Sequence, residues 1–318
     1  MQRRHLLACA LAAAFAAGAH ADDFPSHPIT LVAPFPAGSV TDAVTRVLGK
    51  ALTQSLGQPV IVENKAGAQG TIGAAYVANA KPDGYTLLIG SSAMFVARSL
   101  YKTLPYDPDS FVPVAAVGST AMMFLVSPGS PVRNIGDLAK VSKKANPPLT
   151  LGYGSPSGQV AVALFSAVTD SQPVGVSYRG IPQAVTDMIG GQVQVAVVDI
   201  GTGLAQVNGK KARALAISSA SRYAGAPEIP TLQEAYPRAS GALETIIAVQ
   251  APAGTPAAAV QKLDAAIRSA MATTEVKAQF QALNTSVLYL SSRDLGARVK
   301  ADNPRWESLM KKAGIEPQ

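Results

Sequence analysis

Four short stretches carry side chains whose types and spacing can do chemistry. Ser39-Val-Thr-Asp42, with Arg46 four residues further on, sets a hydroxyl, a carboxylate and a guanidinium at the start of a helical pattern. That spacing fits a capping box followed by an i,i+4 ion pair, so a catalytic or metal role for Asp42 competes with a structural one. Gly154-Ser-Pro-Ser-Gly158 has the outline of a nucleophile elbow, but Pro156 occupies the nucleophile's place. Ser155 and Ser157 then read either as hydroxyl donors to a ligand or as caps of the helix that begins near Gly158. Asp199 ends the apolar strand Val195-Ala-Val-Val-Asp199. It can accept from a ligand ammonium or an ordered water, or cap the helix that follows. Tyr178-Arg179-Gly180 also follows a strand, and Arg179 can either grip a carboxylate bidentately or pair on the surface.

Composition removes most other chemistries. Arg3 and Arg4, an apolar run from Leu6 to Ala17, and Ala19-His20-Ala21 make residues 1–21 a signal peptide cleaved before Asp22. Cleavage takes away the only cysteine, Cys9, and two of the three histidines, leaving His27 near the new N-terminus. The mature chain therefore has no disulfide, no cysteine nucleophile and no cysteine zinc site, and only His27 could supply a triad base. We expect an exported, periplasmic protein, soluble after cleavage, with no metal and no cofactor. No later run reaches membrane-spanning length. The formal charge of the whole chain is +7, scattered rather than blocked, which argues against nucleic acid and leaves a mild field that favours anions. Gly67-Ala-Gln-Gly70-Thr-Ile-Gly73 opens a helix after a strand, but Gln69 stands where a dinucleotide fingerprint needs glycine.

The elements that must position these residues alternate. Short β-branched runs at 29–32, 59–63, 85–89, 112–117, 122–127, 149–152, 174–178, 195–199, 212–218 and 246–250 are separated by helical patterns, the clearest at 41–56, where Val44, Val47, Leu48, Leu52 and Leu56 recur. Such alternation predicts an α/β protein with mostly parallel sheets flanked by helices. Helices at about 257–273, 275–283 and 293–314 form a tail that can pack back on the first sheet, with Ser291 or Ser292 as a cap. In open α/β sheets ligands sit beyond the carboxyl ends of strands, here loops 34–39, 66–70, 90–92, 154–158, 179–180 and 199–202. Two sheets contribute them, which predicts a cleft between two domains. The junction from Ile29 to Arg46 is the most informative: a strand, a Pro/Gly loop, then a helix whose first N–H groups and dipole favour an anion.

Pro34-Phe-Pro-Ala-Gly38 with Asp42 and Arg46, Leu56-Gly-Gln-Pro-Val60, Gly67-Ala-Gln-Gly70, Pro82-Asp-Gly-Tyr-Thr-Leu-Leu88, Leu104-Pro-Tyr-Asp107, Tyr178-Arg-Gly180 and Ala251-Pro-Ala-Gly-Thr-Pro256 stand in order along nearly the whole mature chain. Together they resemble the Bug family, the extracytoplasmic receptors of tripartite tricarboxylate transporters. The resemblance implies a two-domain periplasmic binding fold that clamps its ligand between domains without catalysis. It also implies a small carboxylate ligand (a dicarboxylate, amino acid or aromatic acid) held largely by backbone groups and water from loops 34–39, 66–70 and 154–158. The chain departs from the family at Ser39, where a second glycine is common, at Gln159, where histidine is frequent, and at Ile246, where tryptophan is frequent. We expect domain 1 over 22–122 and 249–318, domain 2 over 123–248, and ligand contacts from Phe35, Ala37, Gly38, Ser39, Ala68, Gln69, Gly70, Ser91, Ser155, Ser157, Gly158, Tyr178 and Asp199. The expected partners are membrane permease subunits or, as the alternative, a sensor kinase, with the receptor itself a monomer.

Overall fold

The computed structural model describes residues 24–91, 94, 97–99, 101–237 and 242–312. The signal peptide expected at 1–21 lies outside the described residues, as do Ser92 of the 90–92 loop and Gly314 at the end of the last expected helix.

Ten strands build a mixed sheet that curls into two lobes. In the first lobe β1 (Ile29–Ala33) lies between β2 (Val60–Asn64) and β3 (Thr86–Ser91), all parallel. In the second, β5 (Thr150–Tyr153) lies between β6 (Val174–Ser177) and β7 (Val195–Asp199), again parallel. One long strand, β4 (Phe111–Val126), runs through both. Its first part, Phe111–Ala121, pairs antiparallel with β9 (Glu244–Pro252), while Met122–Val126 pairs antiparallel with β7 and β8 (Arg213–Ile217). The sequence pattern predicts two strands here, at 112–117 and 122–127. Gly118, Ser119 and Thr120 break the apolar run, yet the backbone stays extended because β9 and β10 (Ser286–Ser291) hydrogen-bond to that stretch. These antiparallel strands make the sheets less parallel than the βα alternation alone implies, since a chain that enters the second lobe and returns does so on strands of opposite direction.

Alternation along the strands sends side chains to helices on both faces, as buried sheets require. Ile29 and Leu31 of β1 pack with Val44, Leu48 and Leu52, the i, i+4, i+8 stripe of α1 (Val40–Leu56), and Val32 packs with Ala74 and Val77 of α2 (Thr71–Ala78). In the second lobe Val195 and Val197 meet α4 (Pro156–Thr169), the helix that follows α3 (Ile135–Lys144) and β5. Ala196 and Val198 face α5 (Ile181–Ile189) and α6 (Ile200–Asn208). A short α7 (Leu232–Ala235) precedes β9, and the tail is α8 (Ala257–Ala272), α9 (Thr274–Ala282) and α10 (Ser292–Lys312). Ser291 does start the last helix, accepting from the Asp294 N–H at 3.2 Å. That helix crosses both lobes: Leu295 packs on β4 and β9 of the first, while Trp306 and Met310 join the core around α4 of the second.

Candidate functional site

The βα junction around Gly38 is held by a small polar network. Ser39 caps α1, its hydroxyl accepting from the Asp42 N–H at 3.2 Å. The Asp42 carboxylate accepts from the Gly38 N–H at 2.9 Å, from Arg46 Nε at 3.2 Å and from Asn64 Nδ2 at 2.9 Å. Asn64 also donates to the Phe35 carbonyl, tying the loop to β2. Burial alone would raise the Asp42 carboxyl, but the Arg46, Gly38 and Asn64 donors outweigh it and hold the group below its ordinary value. The structural reading of Asp42 is the one observed: the carboxylate shapes the loop, and Gly38 adopts φ +81°, a conformation that favours glycine.

This loop faces a cavity of about 650 Å³ between the lobes. Four helices begin at its wall. Ser39, Val40 and Thr41 come from the start of α1, Ser155 and Ser157 from α4, Ile181 and Pro182 from α5, and Gly201 and Thr202 from α6. Each end presents N–H groups without intrahelical partners, so their dipoles add to a positive potential in a partly enclosed space. Three hydroxyls on the cavity wall, Ser91 Oγ, Ser157 Oγ and Thr245 Oγ1, are buried and make no hydrogen bond. A buried hydroxyl left unpaired is costly, which sets these three apart from the capped and paired hydroxyls around them.

Asp199 is the acidic member of the wall. It caps α6, with Oδ1 accepting from the Thr202 N–H at 2.8 Å and Oδ2 from the Thr202 hydroxyl at 3.0 Å. Burial pushes its carboxyl up, and the Thr202 bonds only partly offset that. Capping and exposure to the cavity thus coexist in one side chain. Lys211 is the only basic residue on the described wall.

Of the sequence-derived candidates, Phe35, Gly38, Ser39, Ser91, Ser155, Ser157 and Asp199 meet around the cavity. The others sit beside it. Ala37 is exposed at the loop tip, and Gly158 packs on Tyr153 behind the Ser155 cap. Tyr178 turns its hydroxyl to Asp187 at 2.8 Å, and Arg179 is exposed without an ion pair among the described residues. Ala68, Gln69 and Gly70 form a turn in which φ is positive at all three, and Gln69 Nε2 reaches across the cleft to Ser177 Oγ at 2.7 Å. His27 stacks on Tyr85 and takes no part in the cavity wall. Among the described residues no group of three His, Cys, Asp or Glu side chains is placed to hold a metal.

Thr120 and Met122 of β4, Thr245 and Ile247 of β9, and Leu283 and Asn284 after α9 complete the wall without any signal in the loop-based reading. They lie in mid-strand or beyond the tail helix, where the lobes join. The one trace is Thr245, a hydroxyl set beside Ile246 and Ile247 in a largely apolar strand. The departures from the family pattern fall differently: Ser39 lines the cavity, Ile246 points into the core with Leu295, and Gln159 is buried with its amide unpartnered.

Residues 44–315 match the model of the tripartite tricarboxylate transporter family receptor. The chain is 35% identical over 319 residues to a UPF0065 protein of Bordetella bronchiseptica, covering 100% of this chain and 95% of that one. Among solved structures, the periplasmic binding protein BugD superposes with a TM-score of 0.83 at 31% identity, covering 93% of this chain and 100% of BugD. Rpa4515 of R. palustris, solved with adipate, superposes with a TM-score of 0.85 at 27% identity, again over 93% of this chain and 100% of that one.

Proposed function

Because the chain belongs to the Bug family of tripartite tricarboxylate transporter receptors, we propose that it captures a carboxylate between its two lobes and delivers it to a membrane permease. Its fold and family are those of periplasmic solute-binding receptors. The observation that carries the reading is the set of three buried, unpaired hydroxyls, Ser91, Ser157 and Thr245, on a cavity wall where four helices begin. A carboxylate accepts hydrogen bonds only, so it satisfies hydroxyls and free N–H groups together. A sugar hydroxyl can accept from the same donors but carries no charge for the helix ends to favour. Adipate, with which the R. palustris relative was solved, is a compound of the class we assign.

In this reading residues 1–21 direct export, and the protein works in the periplasm as a monomer. No described helix is long and apolar enough to cross a membrane. We place the ligand against Phe35, Gly38, Ser39, Ser91, Ser155, Ser157 and Asp199, with Gln69 acting across the cleft. The lobes keep the expected division, 22–122 with 249–318 and 123–248, close to where β4 changes partners near Ala121 and β9 begins at Glu244.

A thermal-unfolding screen tests the assignment. Ligand at a hundredfold over its Kd adds about 2.7 kcal/mol to the native state. At roughly 2–4 °C per kcal/mol for domains of this size, a binding carboxylate raises Tm by about 5 °C or more. Its methyl esters and amides leave Tm unchanged. A panel in which neutral sugars or cationic peptides shift Tm and carboxylates do not would overturn the reading.

A further inference from the structure

The cavity extends beyond Ser91, Ser157 and Thr245. Ile181, Val185 and Ile189 of α5 stand at i, i+4 and i+8, so one continuous stripe of that helix lines it from first turn to last. Ala205, Gln206 and Asn208 line it along α6, and Lys211 lies just past that helix's C-terminal end. Both helices start at the cleft and leave it side by side on the same face of the second lobe's strands. Nine residues of helix rise about 13 Å, which sets the length of the groove between them. Its floor is apolar, with Val185 buried, while Ile189 stays 44% exposed near the outer end. Lys211, at that end, is exposed and makes no ion pair among the described residues.

We infer that this groove is a second subsite that receives the tail of the ligand, and that the ligand is an elongated α,ω-dicarboxylate. One carboxylate sits at Ser91, Ser157 and Thr245. The methylene chain lies along the α5 stripe, and the far carboxylate meets Lys211. The inference rests on the carboxylate reading of the cleft and adds chain length to it. A short diacid fills only the inner end and leaves Ile189 and Lys211 without partners. An apolar stripe of three branched side chains between a polar pocket and a lone cation matches a molecule with an apolar middle and two anionic ends. The groove opens to solvent beyond Ile189, so it sets a preferred length without a wall that rejects longer chains.

Calorimetric titration of the intact protein with succinate, adipate, suberate, sebacate and decanoate tests this. Affinity is expected to rise roughly twofold per added methylene while the chain crosses the half-exposed stripe, so that sebacate binds at least tenfold tighter than succinate. Decanoate, lacking the second carboxylate, is expected to bind severalfold more weakly than sebacate at low salt, and that difference should vanish in Lys211→Met. Ile189→Asp should lower the sebacate-to-succinate affinity ratio at least fivefold, with circular dichroism and Tm confirming the fold. Short diacids binding as tightly as sebacate, or ratios unmoved in both variants, overturns the groove while leaving the cleft assignment standing. If no acid of any length binds, the cleft assignment fails and takes the groove with it.

Discussion

Gln69 Nε2 donates to Ser177 Oγ at 2.7 Å, joining the turn after β2 in the first lobe to the end of β6 in the second. The two residues are 108 positions apart and neither lines the cavity. The turn that presents Gln69 has positive φ from Gly67 to Gly70, including 44° at Ala68 and 53° at Gln69, where only glycine is at ease. The loop thus holds a strained shape that aims one amide across the cleft. Gly201 marks a second crossing: a Cβ there would lie 2.6 Å from the Leu283 carbonyl and 3.0 Å from Val40 Cγ2.

These crossings predict variants that weaken binding through lobe closure, Ser177 from outside the cavity and Gly201 from its wall. Removing a neutral hydrogen bond costs about 0.5–1.5 kcal/mol, so Ser177→Ala should weaken ligand affinity about two- to tenfold by disfavouring the closed form. Gly201→Ala wedges the lobes apart and should cost more. Small-angle scattering with saturating ligand should show a larger radius for Gly201→Ala than for wild type; equal radii and equal affinity would remove both contacts from closure.

The unpaired hydroxyls predict opposite signs for binding and stability. A hydrogen bond to a charged group is worth about 1.5–3 kcal/mol, so Ser157→Ala and Thr245→Val should each weaken carboxylate binding about tenfold to a hundredfold. In the absence of ligand the same changes remove a buried polar atom that has no partner, so Tm should hold or rise. Parallel calorimetric titration and scanning calorimetry read both. A lowered ligand-free Tm with unchanged affinity would make these hydroxyls structural.

The loop network predicts an acid-labile contribution. Asp42 is held below its ordinary 3.8 in the folded state. The unfolded chain therefore takes up the proton at higher pH than the folded one. The stability from Asp42 is present above about 3.8 and is lost as pH falls through its lower folded value. Asp42→Asn should be less stable than wild type at neutral pH, and the gap should narrow as urea titrations are taken from about pH 4 down to about pH 2.5. A constant gap across that range contradicts the assignment.

Asp199 predicts a proton signature. Burial already raises its carboxyl, and an anion docking beside it raises it further. Binding of a dicarboxylate should draw a fraction of a proton from buffer at mildly acidic pH, read as a dependence of the calorimetric heat on buffer ionisation enthalpy. Asp199→Asn should abolish that dependence and bind the dicarboxylate at least as tightly as wild type. A loss of affinity beyond about tenfold in that variant would instead identify an ammonium on the ligand.

The loops at strand ends were legible because their glycines, prolines and hydroxyls interrupt periodic apolar runs, and Ser39, Ser155 and Asp199 each sit one step before a helix. That is why a cap and a cavity residue coincide at all three. Thr120, Thr245 and Leu283 were not legible, because their place in the site depends on β4 running through both lobes and on where along the first lobe the returning tail docks. Those are long-range pairings that no local spacing encodes. Gln69 illustrates the intermediate case: its loop was visible, but its reach to Ser177 depends on positive φ at non-glycine residues, which sequence argues against.

The position of the carboxylate in a crystal structure of the protein grown with a dicarboxylate tests the central claim most directly. Carboxylate oxygens are expected within about 3 Å of Ser91 Oγ, Ser157 Oγ and Thr245 Oγ1, with the Gln69–Ser177 bond intact. Those hydroxyls still unpaired, with the acid bound elsewhere on the molecule, would contradict it.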